Sequence, residues 1–181
     1  ALAYAGLGTA VFQKRADGRL TMAARWLLAP YLGAAWINSR LWTRRAPQAV
    51  PVMDGVWLGR IPCAALPTPL VGVVDACAEL SCRAPGAAYA SVPMLDLVVP
   101  TPEQLRAAAE AIERLRMQGP LLVCCALGYS RSAASVAAWL LRSGRATDTD
   151  AAVAIVRAAR PGIVLGAAHL HAITAAAGVR T

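Results

Sequence analysis

The stretch Leu121-Leu122-Val123-Cys124-Cys125-Ala126-Leu127-Gly128-Tyr129-Ser130-Arg131-Ser132 constrains this chain more than any other. Its apolar start reads as a buried strand, and that strand runs directly into two cysteines and a glycine-bearing loop. From Ser130 to Leu141 the apolar residues Ala133, Val136, Ala137, Trp139 and Leu140 recur at helical spacing, so the loop sits at a helix N-terminus. The first N–H groups of a helix point outward unpaired and its dipole favours negative charge, so such a turn can hold a phosphate and a thiolate. Cys125 is predicted to be acidic and nucleophilic there. Arg131, at the start of the helix, can set a planar two-pronged donor against two phosphate oxygens. On spacing alone, a buried cysteine that ends a core strand is the competing reading.

The remaining chain alternates strands and helices. Strands are expected near residues 56–59, 71–75, 89–94 and 121–125, and helices near 102–118, 129–143, 148–159 and 166–177. Thr101-Pro102-Glu103 opens one helix, and the cluster Thr147 to Asp150 opens another. The pattern predicts an α/β fold, a central and mainly parallel sheet flanked by helices, with its site at the C-terminal end of a central strand. Asp96 closes the strand-like run Ser91 to Leu95 and falls on a loop before Thr101.

The spacing Cys125-x5-Arg131, followed by Ser132 and with Gly128 inside, resembles the signature loop of the dual-specificity branch of the cysteine-dependent protein tyrosine phosphatases. The likeness extends over most of residues 51–177. Val56 to Arg60 resembles the opening strand of these domains, Gly72 to Asp75 the central strand, and Arg160-Pro161-Gly162 the turn before the last helix. Asp96 precedes Cys125 by 29 residues, similar to the interval at which the family places its general acid. Without that resemblance, an aspartate capping a turn accounts for Asp96 equally well. One departure is plain: Cys124 stands where the family usually has a histidine before the nucleophile, which leaves open how strongly Cys125 is activated.

The resemblance implies a phosphomonoester hydrolase working through a phosphocysteine. Cys125 is the nucleophile, Asp96 the general acid, and Ser132 the support for the departing thiolate. Ala126, Leu127, Gly128, Tyr129, Ser130 and Arg131 bind the phosphate, with no metal or cofactor. Phosphotyrosine, phosphoserine and phosphothreonine proteins are the expected substrates. A phospholipid monophosphate such as phosphatidylglycerophosphate is the alternative, and a non-catalytic phosphate-binding module a second one. The loop residues from Ala126 to Ser130 are uncharged, which speaks against polyphosphoinositides.

Charge divides the chain. Of the net charge of +8, residues 1–50 supply +6, with seven basic residues against Asp17 alone. The basic residues flank apolar segments instead of alternating with stacking aromatics, so a membrane surface is a better partner than nucleic acid. We therefore expect residues 1–50 to form an apolar, basic, membrane-proximal helical segment and residues 51–181 the catalytic domain.

Residues 1–13 have no signal-peptide pattern and read as the end of something longer. A helix over residues 26–37, only about 18 Å long, is too short to span a bilayer core of about 30 Å. With Trp26, Tyr31, Trp36 and Trp42 near headgroup level it suits an interfacial helix, and a core-packing helix is the other reading. The whole resembles the C-terminal part of bacterial membrane proteins that fuse a phosphatidic-acid-phosphatase-like domain to a dual-specificity phosphatase. That places it on the cytoplasmic face of a bacterial membrane. One lysine against 17 arginines fits a GC-rich genome.

Five cysteines and a thiolate nucleophile suit a reducing compartment. Cys77-x4-Cys82 with His169 and His171 invites a metal reading, but the spacing is poor for structural zinc. Cys63, Cys77 and Cys82 are expected to be small apolar fillers, and the two histidines to make ordinary helix or loop contacts.

Overall fold

The computed structural model describes residues 6–62 and 65–178. Cys63 and residues 1–5 of the first apolar piece lie outside them. The sheet contains β1 (Val50–Met53), β2 (Val56–Arg60), β3 (Gly72–Cys77), β4 (Ala88–Met94) and β5 (Leu121–Cys125), in the order β1-β2-β5-β3-β4. All pairs are parallel except β1 with β2. The run Leu121 to Cys125 is fully buried, as a strand apolar on both faces must be, and it takes the centre between β2 and β3. The expected strands are present. The edge strand β1 was not marked by the sequence, because four residues with Pro51 among them give no usable alternation.

The helices α3 (Pro102–Arg116), α4 (Arg131–Arg142), α5 (Thr149–Ala159) and α6 (Ala167–Ala177) all pack on one face. Leu58, Val74, Val123 and Cys125 point into that core. Residues 131–140 of α4 are buried throughout, and its four alanines let it lie close to the sheet between α3, α5 and α6. Thr101 and Gln104 form a capping box that starts α3, and Asp148 caps α5 through the Ala151 amide at 2.8 Å. The other face carries a smaller cluster including Val73, Leu122, Cys124 and Cys82, covered by loops and by Ala35.

The N-terminal part packs onto this frame. A short 3-10 helix, Gly8–Phe12, precedes α1 (Met22–Leu27) and α2 (Ala29–Trp42). Where the sequence suggests one helix over residues 26–37, the structure has two. Phe12, Leu20 and Ala24 bury against Ala78 of the sheet domain, with Leu95 beside them. Lys14 is also buried: its ammonium donates to Asp75 at 2.6 Å, to the Leu80 carbonyl at 2.8 Å and to the Cys77 carbonyl. Lys14 is therefore no part of the surface charge counted for a membrane contact. Among the described residues no helix is long and apolar enough to cross a membrane.

Candidate active site

The loop between β5 and α4 closes around one sulfur. Cys125 Sγ accepts from the Gly128 amide and from the Ser132 hydroxyl, each at 3.2 Å. Gly128 has φ +78°, and a Cβ there would lie 2.5 Å from the Gly59 carbonyl carbon of β2. Only glycine lets the turn pass so near the neighbouring strand while aiming its N–H at the sulfur. Among the described residues the amides of Tyr129, Ser130 and Arg131 have no protein acceptor, as an anion cradle at a helix start requires.

Burial by itself would push the Cys125 thiol up; the Arg131 charge, the Ser132 hydroxyl and the Ser132 and Gly128 amides outweigh it and hold the thiol below its ordinary value. Cys124, one residue earlier, points through the sheet to the opposite cluster. Burial first and its bond with Cys82 second raise that thiol well above its ordinary value. The strand's alternation thus gives two adjacent cysteines opposite chemistry: Cys125 reaches the anion cradle, and Cys124 stays a protonated core residue.

Arg131 is buried and held from three directions. Its Nη1 donates to Glu79 at 2.7 Å and to the Met94 carbonyl at 2.8 Å, while Nη2 donates to Asp96 at 3.0 Å. Glu79 also accepts the Asp96 amide at 2.6 Å, which clips the Asp96 loop to the arginine. Burial works to raise the Glu79 carboxyl, but Arg131 overrides it and keeps the group below the usual carboxylate range. The structure therefore brings together Cys125, Arg131, Ser132 and Asp96.

Sequence reasoning missed Glu79. Its only trace is an acidic residue inside the apolar stretch Val73 to Leu80, a place where charge needs a buried partner. Asp75, in the same stretch, meets that need through Lys14 and the Tyr89 hydroxyl at 2.7 Å.

The rest of the loop is fixed from the outside. Arg160 is buried, donates to the Leu127, Ala46 and Gln48 carbonyls, and lies 4.5 Å from the centre of the Tyr129 ring. Val164 N–H reaches the Tyr129 carbonyl at 2.8 Å. His169 does more than serve its own helix: one ring nitrogen accepts from the Gly166 amide that begins α6, and the other pairs with the Ser130 hydroxyl at 3.1 Å. His171 is exposed. Cys77 is a donor as well as a filler, its thiol 3.3 Å from the Glu79 carboxylate and pushed up by burial. The described residues contain no cluster of three or more side chains suited to a metal ion.

A cysteine whose thiol is held below its ordinary value, at the C-terminal end of a central parallel strand and facing loop amides and a buried arginine, defines a cysteine-dependent phosphatase. Residues 71–177 match the dual specificity phosphatase catalytic domain, and the chain belongs to that family. No curated protein matches the chain.

Among solved structures, a mouse putative dual specificity phosphatase complexed with zinc tungstate is 25% identical, with a TM-score of 0.62 over 73% of this chain and 87% of that one. Tk-PTP in its active form is 24% identical, with a TM-score of 0.61 over 74% of this chain and 98% of that one. PTPMT1 is 20% identical, with a TM-score of 0.62 over 72% and 94%. The last two bear on the fold alone.

Proposed function

We propose that this phosphatase acts on phosphotyrosine, phosphoserine and phosphothreonine side chains of proteins, through a phosphocysteine formed on Cys125. The observation that carries the reading is the set of donors converging on Cys125 Sγ, the Gly128 amide and the Ser132 hydroxyl at 3.2 Å with Arg131 beside them. In this reading the thiolate attacks phosphorus while the amides from Ala126 to Arg131 and the remaining N–H groups of the Arg131 fork hold the equatorial oxygens. Asp96 gives its proton to the leaving oxygen as the P–O bond breaks. It then takes a proton from the water that attacks the phosphocysteine, and the Ser132 hydroxyl supports the thiolate as the S–P bond breaks. These four side chains and water balance every proton and electron pair, so the two steps call for no metal or cofactor.

Membrane association belongs to the same proposal, at the cytoplasmic face of a bacterial membrane. What supports it is α2, which is built inside out: the small polar Ser39 and, just beyond the helix, Thr43 face the protein while Trp36, Ile37, Leu41 and Trp42 face outward. A helix with its large apolar side chains outside suits contact with lipid better than with water. The same observation favours a second reading of the substrate, a phospholipid monophosphate such as phosphatidylglycerophosphate.

The test is a set of initial rates under identical reducing conditions on a phosphotyrosine peptide, a phosphothreonine peptide and dispersed phospholipid monophosphates. We expect kcat/KM for the peptides to exceed that for the lipids by about tenfold or more; the opposite order would move the assignment to lipid. Cys125→Ser should abolish hydrolysis of all of them, and activity surviving in that variant would overturn the mechanism.

A further inference from the structure

We infer that the groove between the α1–α2 pair and the segment Glu79–Tyr89 binds the headgroup of an anionic phospholipid, at a site separate from the catalytic loop. The inference rests on the membrane-surface reading above and adds to it a stereochemically defined ligand site. The groove encloses about 1100 Å3, slightly more than the roughly 300–1000 Å3 of most small-ligand sites. Five arginines line it, Arg15, Arg19, Arg25, Arg40 and Arg83, against the carboxylates of Asp17 and Glu79.

The acids offset only part of that charge. Asp17 pairs with Arg19 at 3.9 Å, and the Glu79 carboxylate is already committed to Arg131 and the Asp96 amide. Among the described residues Arg15, Arg25 and Arg83 form no ion pair. Guanidinium groups without a carboxylate, gathered around one concavity, are complementary to a phosphate ester, which they grip two oxygens at a time.

The apolar part of the lining decides what carries the phosphate. Met22, Leu32 and Trp36 contribute to the groove from the two helices, and the same helices expose Trp26, Leu27 and Trp42 to between 72% and 80%. A nucleic acid or a phosphopeptide would leave those side chains in water. A phospholipid would not: its phosphate meets the arginines while its chains and neighbours take up the aromatic face. Cys125, Arg131 and Asp96 do not line the groove, so a headgroup held there lies apart from the nucleophile and serves to anchor and orient the enzyme. Glu79 is the one residue common to the groove and the hold on Arg131.

The test uses the full chain and phosphatidylglycerol, an anionic phospholipid without a phosphomonoester and hence without a bond for Cys125 to cleave. Co-sedimentation with phosphatidylcholine vesicles, with and without phosphatidylglycerol, is measured alongside a tryptophan-fluorescence titration with short-chain phosphatidylglycerol kept below its micelle threshold. The wild type should prefer the anionic vesicles and saturate with the short-chain lipid. Arg15→Glu combined with Arg83→Glu, both at exposed positions and checked by an unchanged melting temperature, should weaken both by about 10- to 30-fold. The variant Trp26→Ser with Trp42→Ser should lose binding to phosphatidylcholine vesicles yet still saturate with the short-chain lipid.

Retention of the anionic preference by the arginine variant, or absence of saturation in the wild type, would overturn the groove as a site. Wild-type protein that ignores both vesicle types but saturates with the short-chain lipid would remove the membrane reading and leave the groove standing.

Discussion

Glu79 and Arg131 meet at 2.7 Å, both side chains 3% exposed, across 52 residues of chain. The contact holds the arginine at Nη1, which also donates to the Met94 carbonyl, while Nη2 is held by Asp96. Replacing Glu79 by Gln removes the charge and keeps a hydrogen-bonding group of the same length. We expect vanadate affinity to fall by about tenfold, since an arginine free to turn no longer presents its donors in place, and stability to fall by about 3 kcal/mol, the low end for breaking a buried pair. Vanadate inhibition and urea unfolding of the variant measure the two effects; unchanged inhibition would show that Arg131 holds its position without Glu79.

Asp96 is tied to the same arginine at 3.0 Å but is partly exposed, which suits the general-acid role proposed for it. Asp96→Asn is expected to slow hydrolysis of alkyl phosphates, whose alkoxides need a proton, by about 10² to 10⁴. Aryl phosphates with acidic phenols should be affected far less. Equal losses on the two substrate types, measured as kcat/KM, would take the acid role from Asp96.

Ser132 supplies a neutral donor to the Cys125 sulfur, and the thiol is held below its ordinary value. A depressed folded value means that the ionised form, and the stability it contributes, is fully present above the ordinary thiol pKa and is lost as pH falls through the depressed one. The acidic limb of kcat/KM follows the same ionisation in the free enzyme. Ser132→Ala removes one donor to the thiolate, so this limb should move toward higher pH, while the Arg131 and amide contributions keep it below that of a free cysteine. Rapid-mixing experiments on the same variant should show a burst of phenol release, because the second step loses its support for the leaving thiolate. An unmoved limb would assign the ionisation to Arg131 and the amides alone.

Lys14 is buried against Asp75, Cys77 and Leu80. The Cys77 to Leu80 segment that it ties down also carries Glu79. Lys14→Met keeps the length and removes the charge, leaving Asp75 buried with only the Tyr89 hydroxyl and the Cys77 amide as partners. We expect a loss of about 3 to 5 kcal/mol in urea unfolding. A loss below about 1 kcal/mol, the range of an exposed pair, would show that water reaches Asp75 in solution.

The strand, loop and helix around Cys125 could be read from the chain because their determinants are local. The all-apolar Leu121–Cys125, the glycine three residues after Cys125 and the helical spacing after Ser130 each act over a few residues, and so do the caps at Thr101 and Asp148. Those short-range rules placed these helix and strand boundaries to within a few residues and located the loop around Cys125.

The partners of that loop were decided by packing alone. Glu79 reaches Arg131 over 52 residues and Lys14 reaches Asp75 over 61, and a charge in an apolar run shows that a partner is needed without showing which one. Nor does helical periodicity distinguish one face of a sheet from the other. The collection of α3 to α6 on one side, with the segment before α1 bringing Lys14 inward and α1 and α2 turning their tryptophans outward, is fixed only when the apolar stripes compete for the same surface. Composition changes sharply near residue 50, whereas the contacts of Phe12, Lys14 and Leu20 cross that point, because average charge is a property of a segment and burial is a property of its neighbours.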